Sequence, residues 1–130
     1  MAFEKLVGFF SNSCETSDNP KIKNKVMLIT HYYVGSYEKV KAAVSNIGQN
    51  ELGLLLMNVD DHYHELLLEN KKESLIVTIS QVSANESSVD VKVRLNRPVG
   101  LGKPQKILDA FYNSLNRKLT LKRVGGSKDE

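Results

Sequence analysis

The chain has 130 residues and a mass of 14.6 kDa, the size of one domain with a core of its own. With 41% hydrophobic and 25% charged residues it is too apolar for a disordered tail, and its one cysteine excludes an internal disulfide and a cysteine-built zinc cage. A net charge of +3 is too mild to require a nucleic-acid partner.

Phe3, Leu6, Val7 and Phe10 recur at helical spacing and predict a short amphipathic helix over residues 1–10. Ten residues are too few to be helical alone in water, so this segment must dock on its own domain, a second copy or a partner. Glu4 and Lys5 interrupt its apolar run, and no stretch approaches the ~20 residues of a membrane helix. Residues 11–25, with Pro20, read as a polar linker. Cys14 lies in it as an exposed, idle thiol whose pKa Glu15 would raise. A lone thiol fits a reducing compartment, so the expected location is cytoplasmic.

The run Val26–Val34 is β-branched and aromatic and predicts a strand apolar on both faces. Ser36 then offers an N-cap with Glu38 in the first turn. Tyr37, Val40, Val44 and Ile47 form one helical stripe, which Gly48 is expected to close as a C-terminal glycine. Leu54–Val59 predicts a second strand dry on both faces. Asp60-Asp61 is a turn signal, with His62–Glu69 returning as the hairpin partner. Leu75–Val82 is a third strand of this series. In Val89–Asn96 the odd positions are apolar and the even ones polar, so one face is buried and one wet. Pro98–Pro104 is a Gly/Pro connector. Ile107, Leu108, Phe111, Leu115 and Leu119 make the stripe of a long helix over 104–121, and residues 122–130 are expected to be a flexible tail.

Four consecutive strands joined by short turns form an antiparallel meander. The expected fold is therefore α+β in two layers, within a single domain over 26–121. A curved five-stranded antiparallel sheet, in the order β-α-β-β-β-β-α, carries the long C-terminal helix on one face. Over these residues the element order resembles the TATA-binding-protein-like topology and the related START-type helix-grip architecture. That resemblance implies a long helix lying across a curved sheet, often over an apolar cavity.

His62 and His64, if both on a strand, would share a face and could ligate a divalent metal with His31, Asp60 or Asp61 completing the shell. Lys106, Arg117, Lys118, Lys122 and Arg123 make a basic surface suited to weak nucleic-acid binding. Gly100–Lys103 lacks the full phosphate-loop run, and no cofactor is expected. No local catalytic signature is present, which leans away from an enzyme. Two strands dry on both faces, with helices enough for one, point to a non-enzymatic interaction module that binds itself or another protein. The alternative is a carrier holding a small apolar ligand among Val77, Ile79, Val91, Val93, Ile107, Phe111 and Leu115.

Overall fold

The computed structural model describes residues 13–17, 29–96 and 103–125. The helix expected over 1–10, most of the linker, the start of the 26–34 strand, most of the Gly/Pro connector and residues 126–130 lie outside the described residues. The elements are β1 (Ser13–Glu15), β2 (His31–Val34), α1 (Tyr37–Asn50), β3 (Leu55–Asp60), β4 (Glu65–Glu69), β5 (Glu73–Ser83), β6 (Glu86–Leu95), α2 (Lys103–Lys118) and β7 (Leu121–Val124). The protein is mixed α+β, with one large antiparallel sheet and two helices among the described residues.

Among the described residues the sheet has seven strands rather than five, in the order β3-β4-β5-β6-β2-β7, with β1 also on β6. Both extra strands correct an expectation: β1 lies in the segment read as linker, and β7 in the segment read as the end of α2 and a flexible tail. The order also exceeds the β-α-β-β-β-β-α expectation by one strand before β2 and one after α2. β7 forms because the chain leaves α2 and meets the open edge of β2, where His31 pairs with Val124 and Tyr32 with Arg123. α2 stops at Lys118, where the Leu119 N–H still donates to Leu115, and the Val34 N–H then takes the Thr120 carbonyl.

β6 is the centre of the sheet. β5 runs along one side of it from Glu73↔Leu95 to Ser83↔Glu86. Its other side is shared end to end: β2 takes Glu86–Val89 and β1 takes Lys92–Arg94. Asp90 sits at the junction and accepts from Thr16 Oγ1 at 2.7 Å and Thr30 Oγ1 at 2.6 Å. One carboxylate thus ties the ends of two short strands that have few ladder bonds of their own.

The alternation in β6 is as the sequence indicated. Val89, Val91, Val93 and Leu95 are buried, whereas Lys92 and Arg94 are exposed on the opposite face. The buried side joins Leu66, Leu68, Leu75, Val77 and Ile79 to the stripes of both helices in one apolar cluster. Each such side chain contributes roughly 1.5–3 kcal/mol on burial. α1 begins where expected, with Ser36 extended and accepting from the Lys39 N–H. It does not end at Gly48, which lies inside the helix. A Cβ there would stand 2.7 Å from Leu68 Cδ2, so this glycine permits close approach of helix to sheet and is not a terminator. The helix runs to Asn50, and Gly53, at φ +67°, turns the chain toward β3.

β3 is an edge strand, so the run Leu54–Val59 is not dry on both faces. Leu55 is 65% and Met57 53% exposed, and Met57 stands at a bulge between Leu56 and Asn58. The β3–β4 connection is longer than expected. Asp60 accepts from the His62 and Tyr63 N–H groups at 3.0 Å each, which makes residues 61–64 a turn, and β4 starts at Glu65 rather than His62.

Candidate functional site

With both helices on one side, the opposite face of the sheet can be built row by row from the strand register. One row is Asp60, Glu65, Thr78 and Asp90. The next is Asn58, Leu67, Ile76, Lys92 and Glu15. The third is Leu55, Glu69, Ser74 and Arg94. Two hollows lie on this face. One of about 340 Å³ is lined by Glu15, Thr16, Glu65, Ile76, Thr78, Asp90, Val91 and Lys92. The other, of about 170 Å³, is lined by Leu67, Ser74, Ile76, Lys92 and Arg94. Ile76 and Lys92 belong to both, so the two form a continuous surface.

Its chemistry is an apolar strip between charges. Leu67 is half-buried and Ile76 is 38% exposed. Among the described residues, Glu15, Glu65, Lys92 and Arg94 make no ion pair or side-chain hydrogen bond. Asp90 is held by its two threonines, and Glu69 accepts from Ser74 Oγ at 2.8 Å. No histidine or cysteine lines either hollow. The surface therefore offers charge and apolar contact to a ligand.

Cys14 is half-buried rather than exposed. It pairs with Val93 and packs against the core. Burial first, and then the charge of Glu15, push its thiol up to about 11.

The residues proposed for metal binding are divided between β2, which carries His31, and the end of β3 with its turn to β4, which carry Asp60 to His64. His62 is exposed, with its ring edge-on to Tyr63 at 4.6 Å. His64, at φ +58°, lies flat on the Tyr37 ring at 3.9 Å. Both are in the turn, so the alternation that would have put them on one strand face does not apply. His31 is buried in β2. Asp61 accepts from Tyr37 Oη at 2.6 Å and Lys41 Nζ at 2.9 Å. The Tyr37 hydrogen bond and then Lys41 hold its carboxyl below the usual range. The cluster thus fastens the turn to α1. Among the described residues, no group of three or more His, Cys, Asp or Glu is placed to hold a metal ion.

The basic residues divide. Lys106 is exposed on α2. Arg117 and Lys118 reach Glu51 at 3.5 and 3.6 Å. Lys122 and Arg123 lie on β7, not on a helix or tail, and reach Glu86 at 3.0 and 3.4 Å. Arg123 also covers the Tyr32 ring at 3.7 Å. Four of the five therefore already meet carboxylates.

The residues proposed to line a ligand cavity do converge. Val77, Ile79, Val91, Val93, Phe111 and Leu115 are buried in the common core, and Ile107 packs against it half-buried. Both hollows described above lie on the other side of the sheet.

Sequence reasoning named the even positions of β6 as the wet face but missed the site there. The signal was available in part, since Leu67 and Ile76 stand at outward positions of their strands. Glu15 and Thr16 were hidden by the reading of their segment as linker. Among the described residues no helix is long and apolar enough to cross a membrane. No family model, no curated protein and no solved structure matches the chain.

Proposed function

We propose that the protein is a non-enzymatic interaction module whose sheet face opposite the helices, uncovered among the described residues, takes a protein partner. The observation that carries this reading is the continuous surface around Ile76 and Lys92. It is concave, joins Leu67 and Ile76, and carries Glu15, Glu65, Lys92 and Arg94, which lack partners among the described residues. An isolated exposed isoleucine needs no explanation. A hollow that joins one to a second apolar residue and four such charges is built like a recognition surface, with an apolar centre and a polar rim.

Selection of a random peptide library on the full chain tests the reading. Enriched peptides should lose binding to Ile76→Asp while the variant keeps its circular dichroism spectrum. Peptides that bind wild type and Ile76→Asp alike would remove this face as the binding site.

A second reading, self-association, is favoured by the edge of β3, which pairs on one side only among the described residues. An exposed edge with apolar side chains is a template for pairing with another strand. Light scattering should then show a dimer that Met57→Lys dissociates. A monomer at high concentration would dispose of it.

A further inference from the structure

We propose that His31 is a proton-sensitive latch on the last strand: when its imidazole takes up a proton, β7 leaves the edge of β2 while α2 and the β3–β6 ladder stay in place. The latch is independent of the reading of the opposite sheet face as a partner site.

His31 stands where three elements meet. It pairs with Val89 of β6 on one side and with Val124 of β7 on the other, and its ring lies on Tyr112 of α2. The Tyr112 hydroxyl donates to the Val89 carbonyl, so the residue across from His31 also anchors the ring that covers it. The imidazole is 3% exposed. Its Nδ1–H is committed to the Ile29 carbonyl at 2.7 Å, which leaves Nε2 to take the second proton. Among the described residues Nε2 has no hydrogen-bond partner. A proton there creates a buried charge and a buried N–H without an acceptor, and both favour an opening that admits water.

The groups around the ring do not offset this. α2 presents Tyr112, and β2 itself presents Tyr33, whose ring is 6.3 Å away. Burial pushes both phenols up, so both are neutral. β6 presents Asp90, whose charge favours the protonated ring, but burial of the ring outweighs it. β7 presents Val124, while its Lys122 and Arg123 turn to Glu86.

β7 is the element that yields. It has four residues, three of them exposed, and among the described residues it pairs only with β2. α2 instead buries Leu108, Phe111 and Leu115 completely, and β6 is paired along both sides. Local opening falls on the element with the fewest buried contacts. Directly opposed residues of an antiparallel pair project to the same face, so departure of Val124 uncovers the side of the imidazole. The vacated edge of β2, His31–Val34, is then a template for another strand.

Amide hydrogen exchange on the full chain at pH 7.5 and 5.5, corrected for the chemical rate, tests the proposal. The Val34 and Gly125 N–H groups donate to Thr120 and Thr30 across the β2–β7 seam. They should lose about tenfold in protection, the change one proton gives over one pH unit below ~6.5. Amides of the β5–β6 ladder should keep theirs. His31→Asn should abolish the loss at the seam, and the double variant His62→Asn with His64→Asn should retain it. The double variant assigns the response even if His31→Asn fails to fold. A uniform loss across the sheet overturns the proposal, because pH then acts through global unfolding. So does an unchanged seam, a loss that persists in His31→Asn, or one that vanishes in the double variant.

Discussion

The imidazole of His31 lies flat against the ring of Tyr112, with centroids 3.7 Å apart and planes 9° from parallel. His31 Nδ1–H donates to the Ile29 carbonyl at 2.7 Å, and Tyr112 Oη donates to the Val89 carbonyl at 2.7 Å. The pair joins α2 to the β2–β6 seam. Burial lowers the His31 pKa below 6.5, outweighing the Ile29 carbonyl and Asp90, which both raise it. The unfolded chain therefore takes up a proton before the folded one does. Stability is full above pH ~6.5 and falls as pH drops below that value toward the lower folded pKa. Urea midpoints measured between pH 7.5 and 5.5 should show this loss. His31→Asn, which keeps a donor but does not titrate, should flatten the profile; an unchanged slope would mean that another group is responsible.

Gly48 and Leu68 set the distance between α1 and the sheet. An alanine in a helix interior gains about 0.8–1 kcal/mol over glycine from propensity alone. Here its Cβ would meet Leu68 Cδ2 at 2.7 Å, and Leu68 is fully buried in the core. Overpacking costs roughly 1–3 kcal/mol, so Gly48→Ala should lower stability by about 1 kcal/mol net. Chemical denaturation of Gly48→Ala with and without Leu68→Val checks it. The second change should restore part of the loss through non-additivity. A stabilised single variant would show that Leu68 moves aside freely.

Asp90 holds two hydroxyls from separate segments. Asp90→Ala leaves Thr16 and Thr30 without that acceptor, and the loss of such a clasp costs about 1–3 kcal/mol. The effect should be local. Thr16 N–H donates to the Val91 carbonyl and Thr30 N–H to the Ser17 carbonyl, and these amides should exchange with deuterium faster than those of the β5–β6 ladder. Uniform acceleration across the sheet would instead make Asp90 part of the global core.

The sequence was most readable where many residues repeat one environment. Val89–Leu95 alternates because β5 supports its whole length and both described helices lie on one side. The stripe of α1 is readable for the same reason. β1 and β7 were not readable, because Ser13–Glu15 and Leu121–Val124 carry little strand propensity and form by occupying open edges of β6 and β2. Glycine misled in a related way. Gly48 follows a helical stripe, as a terminator would, but its environment is set by Leu68, twenty residues later on another strand. The site was half legible: period two placed Lys92 and Arg94 outward, but only the register of four strands sets Leu67, Ile76 and Glu15 beside them.

Glu86 links the start of β6 to β7 across β2, accepting from Lys122 at 3.0 Å and Arg123 at 3.4 Å. The Lys122 hydrogen bond, followed by the charges of Lys122 and Arg123, holds its carboxyl below 4.5 against the opposing effect of burial. A depressed carboxyl and the depressed His31 imidazole carry the same sign, since each binds its proton more readily in the unfolded chain. The unfolded chain protonates first as pH falls through ~4.3, and the stabilisation present above that value is lost toward the folded pKa. Glu51 and Asp61 are depressed as well, so acid unfolding alone does not isolate Glu86. Glu86→Gln does. It should lower stability near neutral pH, narrow the gap from wild type below pH ~4, and make wild type the more salt-sensitive of the two. Amide exchange should place the loss at β7, where the Val34 N–H to Thr120 and Gly125 N–H to Thr30 bonds mark its two ends. If β7 amides keep their protection in Glu86→Gln, backbone pairing with β2 alone holds the last strand and the ion pairs only solvate its outer side.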